Sequence, residues 1–264
     1  MLLRRLAPRL GPRIARHAQR DLHSVLPLLG TIAAEAGTNA AAVATVAAPL
    51  VSPAVVTFLQ VSPPIAGQVL FLSPMAAMRQ FREEGTTGGV SIIPYAAMAA
   101  NGLAWSTYGA LGADLTIMLP NASGCVLGLY YTQQFYKYKA PDAVVLPYIG
   151  GATAFSAAVV GAAATMPLET ARMAIGYGGV AVCIAMFSGP LAAIQTVLRE
   201  RSAAAIPLAM ALASTANCTL WTSYGALVIH DPFVWGPNGL GLLASVTQLG
   251  LIARFGTAAP KLPP

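Results

Sequence analysis

Trp105-Ser-Thr-Tyr108-Gly-Ala-Leu and Trp221-Thr-Ser-Tyr224-Gly-Ala-Leu stand 116 residues apart in a chain of 264. Each is followed by an aspartate, Asp114 or Asp231, and seven residues later by an asparagine, in Pro120-Asn121-Ala-Ser-Gly and Pro237-Asn238-Gly-Leu-Gly. Indole, phenol, carboxylate and amide thus recur in one order at nearly one spacing. An amide offers both donors and acceptors, and an indole adds a broad apolar face. Both copies lie in strongly apolar surroundings, and a duplicated polar-aromatic cluster inside a membrane points to a transporter.

The elements that must position these residues follow from composition. Charged residues make up 9% of the chain and apolar ones 56%, against about 25% and 45–50% in soluble domains. The few charges leave seven uncharged stretches, 36–78, 85–113, 115–136, 143–168, 173–198, 202–230 and 232–253. Each exceeds the roughly 20 residues a spanning helix needs. So many apolar runs leave no polar surface to enclose a soluble core. They are continuous and rich in Ala, Leu and Gly, whereas a membrane barrel alternates apolar and polar residues over roughly ten-residue segments. The chain reads as an all-α membrane protein with seven transmembrane helices.

Lys and Arg favour alternate connections: Arg79 and Arg82, then Lys137 and Lys139, then Arg199 and Arg201, then Arg254 and Lys261, with only Arg172 in the connections between them. The positive-inside bias places the N-terminus outside and the C-terminus in the cytoplasm. The first 20 residues conflict with this, carrying six Arg and no acid. Arg5, Arg9, Arg13, Arg16 and Arg20 at helical spacing resemble an organelle transit peptide; a basic tail is the other reading. The net charge of +6 comes largely from this leader and carries no nucleic-acid reading. Cys125, Cys183 and Cys218 fall within the spans without a CxxC pair, which favours packing over a metal or disulfide framework.

The organisation is 1–50 Arg-rich leader and Ala-rich extension, 51–139 first three-helix repeat, 140–172 linker helix, 173–256 second repeat, and 257–264 tail. A three-span unit ends on the side opposite its start, so one linking helix lets two such units sit parallel. This gives a 3+1+3 plan with a pseudo-twofold axis along the membrane normal. The first span is expected to start near Ala54. Prolines repeat too: Pro74 matches Pro190, and Pro94 matches Pro207. Each is read as a kink and hinge at a defined depth, because proline removes a backbone donor and clashes with the preceding turn.

These paired elements resemble a eukaryotic SWEET sugar transporter of the MtN3/saliva, PQ-loop group, from about Leu70 to Phe255. The resemblance implies a central pocket formed by Asn121 and Asn238 with Trp105 and Trp221, able to recognise a neutral polyol without charge. It also implies that Met186 sets substrate size, and that a bulky residue there and a second Trp at 105 favour a hexose over sucrose. Tyr108, Tyr224 and Asp231 are the implied outer gate, and Pro74, Pro94, Pro190 and Pro207 the inner hinges. A Lys that joins the outer gate in some members is missing between 110 and 118.

The implied activity is bidirectional facilitated transport of a monosaccharide such as glucose by alternating access. The implied partners are the sugar, the lipid bilayer and further copies in a homo-oligomer of unspecified number, in the plasma membrane or, given the leader, an organelle. No acid or His lies deep in a span, as an ion-coupled carrier would place one, so a uniporter without cofactor or metal is expected. The alternative within transport is a PQ-loop carrier of an amino acid or organic acid. Catalysis is disfavoured because Asp114 and Asp231 sit at span ends rather than facing each other at depth. Asn121-Ala-Ser and Asn217-Cys-Thr fit the glycosylation sequon but lie within spans, and Gly124 and Gly128 form a GxxxG that serves internal packing.

Overall fold

The computed structural model describes residues 51–186 and 188–257. The leader and extension over 1–50 and the tail beyond 257 lie outside them. The described residues form nine helices and no strand. In chain order these are α1 Pro53–Leu72, α2 Met75–Glu84, α3 Ile93–Leu111, α4 Leu115–Tyr138, α5 Leu146–Thr165, α6 Leu168–Met186, α7 Ser188–Glu200, α8 Leu208–Leu227 and α9 Pro232–Phe255. Helices α1 and α2 are pieces of one rod, Pro53–Glu84, and α6 and α7 of another, Leu168–Glu200. Nine helices therefore make seven rods, close to the seven uncharged stretches, with α1 starting one residue before Ala54.

In the first repeat α4 packs against α3 and against both α1 and α2; in the second, α9 packs against α8 and against both α6 and α7. The third rod of each repeat thus lies between the first and second. Across repeats α1 meets α8 and α3 meets α6, which closes the six rods into a ring. The linker α5 packs outside it on α3 and α6.

Small residues set how closely the rods approach. A Cβ at Gly109 would lie 2.6 Å from the Met118 amide nitrogen, and one at Gly225 would lie 2.7 Å from that of Trp235. The glycine of each Tyr-Gly pair is where the second and third rods of its repeat touch backbone to backbone. The GxxxG packs internally, with Gly124 against the Phe71 ring and Gly128 against Ala99.

Three rods are long and apolar enough by themselves to cross a membrane: Pro53–Glu84, Leu146–Thr165 and Leu168–Glu200. The other four carry Asn, Ser, Thr and Gln, which dilutes their apolar content. Their outward faces stay apolar, as with Leu115, Leu119, Val126 and Leu129 of α4, each more than half exposed. That is the surface a lipid-facing helix presents, since hydrocarbon offers no partner to polar groups.

The four repeated prolines divide into two kinds. Pro74 immediately precedes α2 at the break in the first rod, and Pro190 is the third residue of α7, after the second rod's break. Pro94 lies at the first turn of α3 and Pro207 is the residue before α8. A proline at a helix start interrupts no intrahelical bond, so these two begin helices rather than kink them, contrary to the expectation from sequence. At the first break, Tyr131 Oη donates to the Phe71 carbonyl at 2.9 Å. At the second, the counterpart Gln248 Nε2 donates to the Pro190 carbonyl at 3.4 Å.

Candidate functional site

Each aspartate of the repeat is an N-cap. Asp114 Oδ1 accepts from the Ile117 amide at 3.1 Å at the start of α4, and Asp231 Oδ1 accepts from the Phe233 amide at 3.0 Å at the start of α9. This is the role a short carboxylate fills at a helix start, where the first amides lack partners. The residues before them, Ala113 and His230, have φ of 52° and 51°. That left-handed conformation costs a non-glycine residue about 1 kcal/mol. The turn is tied down by Asp114 N to Gly109 O and Asp231 N to Gly225 O, both 2.8 Å.

The second oxygen of each carboxylate reaches the other repeat. Tyr108 Oη donates to Asp231 Oδ2 at 2.6 Å, and Tyr224 Oη donates to Asp114 Oδ2 at 2.7 Å. Two reciprocal phenol–carboxylate bonds therefore cross the ring at one end. Arg172 Nη2 donates to the same Asp231 Oδ2 at 3.0 Å. Both tyrosines are 2% exposed.

The indoles lie one turn from these phenols towards the middle of the ring. Trp105 meets Tyr108 edge to face at 5.4 Å, and Trp221 meets Tyr224 at 6.0 Å. They border a cavity of about 160 Å³ lined by Asn101, Trp105, Asn121, Asn217, Trp221 and Asn238, among others. The indoles are 7% and 9% exposed, so they face the interior rather than a lipid interface. Asn121 Nδ2 donates to Ile117 O and Asn238 Nδ2 to Val234 O, both at 2.8 Å. Each amide is thereby oriented by its own helix, and neither Oδ1 has a partner among the described residues.

A second chamber of about 300 Å³ shares Asn101, Asn217 and Asn238 with the first and continues through Pro190 to Gln248, towards the proline end. Met186 borders this chamber and not the first cavity, and is 41% exposed. The structure thus brings Asn121, Asn238, Trp105 and Trp221 together, sets Tyr108, Tyr224 and Asp231 at one mouth, and places Met186 on the approach from the other. Pro190 borders that approach, while Pro74, Pro94 and Pro207 lie outside both cavities.

Four residues of this arrangement were not assigned to the site from sequence. Asn101 and Asn217 are repeat partners, and extending the W-x-x-Y-G element back one turn to N-x-x-x-W-x-x-Y-G finds them. Asn101 Oδ1 accepts from Trp105 Nε1 at 3.1 Å. Asn217 Oδ1 is buried with no hydrogen-bond partner, so the two halves differ where their sequences agree. Asp114 is the symmetric partner of Asp231, and its duplication was signal enough. Arg172 had appeared only as a topological charge; no local motif connects it to a residue 59 positions away.

The family described as "Sugar efflux transporter for intercellular exchange", MtN3/saliva, matches residues 59–143 and 173–258. The chain is 32% identical over 196 residues to the bidirectional sugar transporter SWEET4 of Oryza sativa subsp. indica, covering 71% of this chain and 74% of that one. It is 30% identical over 205 residues to SWEET2a of the same plant, covering 74% and 83%. Its fold is similar to that of a eukaryotic SWEET transporter solved at 3.7 Å, with a TM-score of 0.64, 25% identity, and coverage of 77% of this chain and 97% of the other.

Proposed function

The chain belongs to the SWEET family of MtN3/saliva sugar transporters, and from that premise we propose that it moves a monosaccharide down its gradient in either direction by alternating access. The observation that carries the reading is the cavity of about 160 Å³ between two indoles and two pairs of asparagines. An indole packs on the apolar C–H face of a pyranose while amides exchange hydrogen bonds with its hydroxyls. Asn121, Asn238 and Asn217 line the cavity and each has a carbonyl oxygen without a partner among the described residues, which suits a ligand rich in hydroxyl donors. No Asp, Glu, His, Lys or Arg among the described residues borders the cavity, in keeping with a neutral solute and with uniport.

Trp105 occupies space beside Trp221 that a disaccharide would need, and Met186 narrows the approach. Tyr108, Tyr224, Asp114 and Asp231 act as the gate at one mouth, and the breaks at Pro74 and Pro190 as hinges at the other. Arg79, Arg82, Lys137, Arg199 and Arg254 gather at the proline end, which by the positive-inside bias faces the cytoplasm. The described conformation then opens inward.

The test is uptake of labelled glucose and sucrose into reconstituted vesicles, comparing the parent chain with an Asn121→Ala, Asn238→Ala double variant. Glucose that equilibrates without accumulating, with flux lost in the variant, is the expected result. Flux of neither sugar in a folded parent would turn the reading to another solute.

A further inference from the structure

The two mouth bonds are symmetric, but Arg172 is not. Its counterpart 116 residues earlier is Val56, so Asp114 has no cation where Asp231 has one. The guanidinium does three things at once. It donates to Asp231 Oδ2 at 3.0 Å, places its carbon 4.9 Å from the centre of the Tyr108 ring, and lies against Gly112, where a Cβ would come within 3.2 Å of it. It therefore touches the second rod of the first repeat and the third rod of the second repeat from its own place on α6.

Arg172 is the fifth residue of α6, near an end where a cation is disfavoured by the helix dipole. Its position serves something other than its own helix. Glu169, one turn away, would be a local partner, yet the ion pair is made to the neighbouring rod's carboxylate, which is only 7% exposed. Asp231 Oδ2 receives both Tyr108 Oη and Arg172 Nη2, so the guanidinium neutralises the carboxylate that the phenol must reach.

We propose that Arg172 is the latch of this mouth: a positioning residue, supplied from α6, that holds the Tyr108–Asp231 contact closed in one half only. It replaces the cation missing from the 110–118 connection. Because a guanidinium stacks on a ring and a lysine ammonium cannot do so equally well, both its charge and its shape contribute. The mouth consequently has a weak seam at Tyr224–Asp114 and a strong one at Tyr108–Asp231. This rests on the reading of that end as a gate.

The experiment uses an Ile117→Cys reporter in sealed vesicles of defined orientation, with a membrane-impermeant maleimide added at the tyrosine–aspartate face only. Labelling is counted above that of the chain with its three native cysteines. Arg172→Met should speed labelling about tenfold or more, since hydrogen bonds to charged groups are among the stronger ones. Arg172→Lys should fall between. Parent-like labelling in Arg172→Met that still folds and carries sugar would overturn the latch. If Arg172→Met does not reach the membrane, Arg172→Lys decides by the same comparison. A parent already labelled as fast as in detergent-opened vesicles would instead refute the gate, and the latch with it.

Discussion

Tyr108 and Asp231 belong to different repeats, yet the phenol of one lies 2.6 Å from the carboxylate of the other, and the mirror pair Tyr224 and Asp114 repeats the contact at 2.7 Å. Each aspartate caps its own helix with one oxygen and holds the opposite repeat with the other. One side chain thus fixes local structure and inter-repeat closure together, which explains why the acid recurs in both halves at the same place.

Separating those two duties gives a first prediction. Asp114→Asn keeps a good N-cap and an acceptor for Tyr224, whereas Asp114→Ala loses both. The alanine variant should melt earlier in detergent by an amount equivalent to about 1–2 kcal/mol more than the asparagine variant. Asp231→Asn should do more harm than Asp114→Asn, because it leaves Arg172 without its anion. Thermal unfolding of the three variants checks the order.

Tyr224→Phe removes a hydrogen bond to a carboxylate at a residue 2% exposed, which costs the closed mouth about 1.5–3 kcal/mol. Side-specific labelling from the tyrosine–aspartate face should rise. Tyr108→Phe should raise it less, since Arg172 still holds Asp231 from the same side.

The glycines of the Tyr-Gly pairs supply a packing test. Gly109→Ala and Gly225→Ala each force a carbon to within 2.7 Å or less of a neighbouring backbone nitrogen. Such overpacking costs about 1–3 kcal/mol or more, so both should lower the melting temperature. Gly161 of α5 has nothing within 4 Å of the added carbon, and Gly161→Ala should leave stability equal or raise it by about 0.5–1 kcal/mol.

Asn217 gives a prediction in which stability and transport part company. Its Oδ1 has no partner to lose, so Asn217→Ala should fold as well as the parent. It should nevertheless weaken sugar half-saturation by about two- to tenfold, the equivalent of one neutral hydrogen bond. Asn101→Ala strips the acceptor from Trp105 Nε1 and should cost stability as well. Uptake kinetics and melting curves on the same preparations separate the two cases.

The rods were legible because each is built on an uncharged stretch, and the repeat because the W-x-x-Y-G, Asp and P-N-x-x-G elements occur twice in order. What sequence left open is lateral. Periodicity says nothing of which rod lies beside which, so the placement of α4 and α9 between their neighbours could not be read, nor the crossing of each tyrosine to the other half. The prolines show a similar limit: residue type alone does not distinguish Pro94, starting a helix, from Pro74, at a break. Asn217 was read only as a sequon because its meaning depends on a cavity that six helices enclose.

Asp114 caps the helix that carries Asn121, as Asp231 caps that of Asn238, each pair seven residues and so about 10 Å apart. A helix that carries a recognition group two turns in and a seal at its start behaves as a lever. Any tilt that draws the amide onto a solute also moves the carboxylate relative to the tyrosine opposite. Occupancy of the cavity and closure of this mouth then form a single mechanical coordinate.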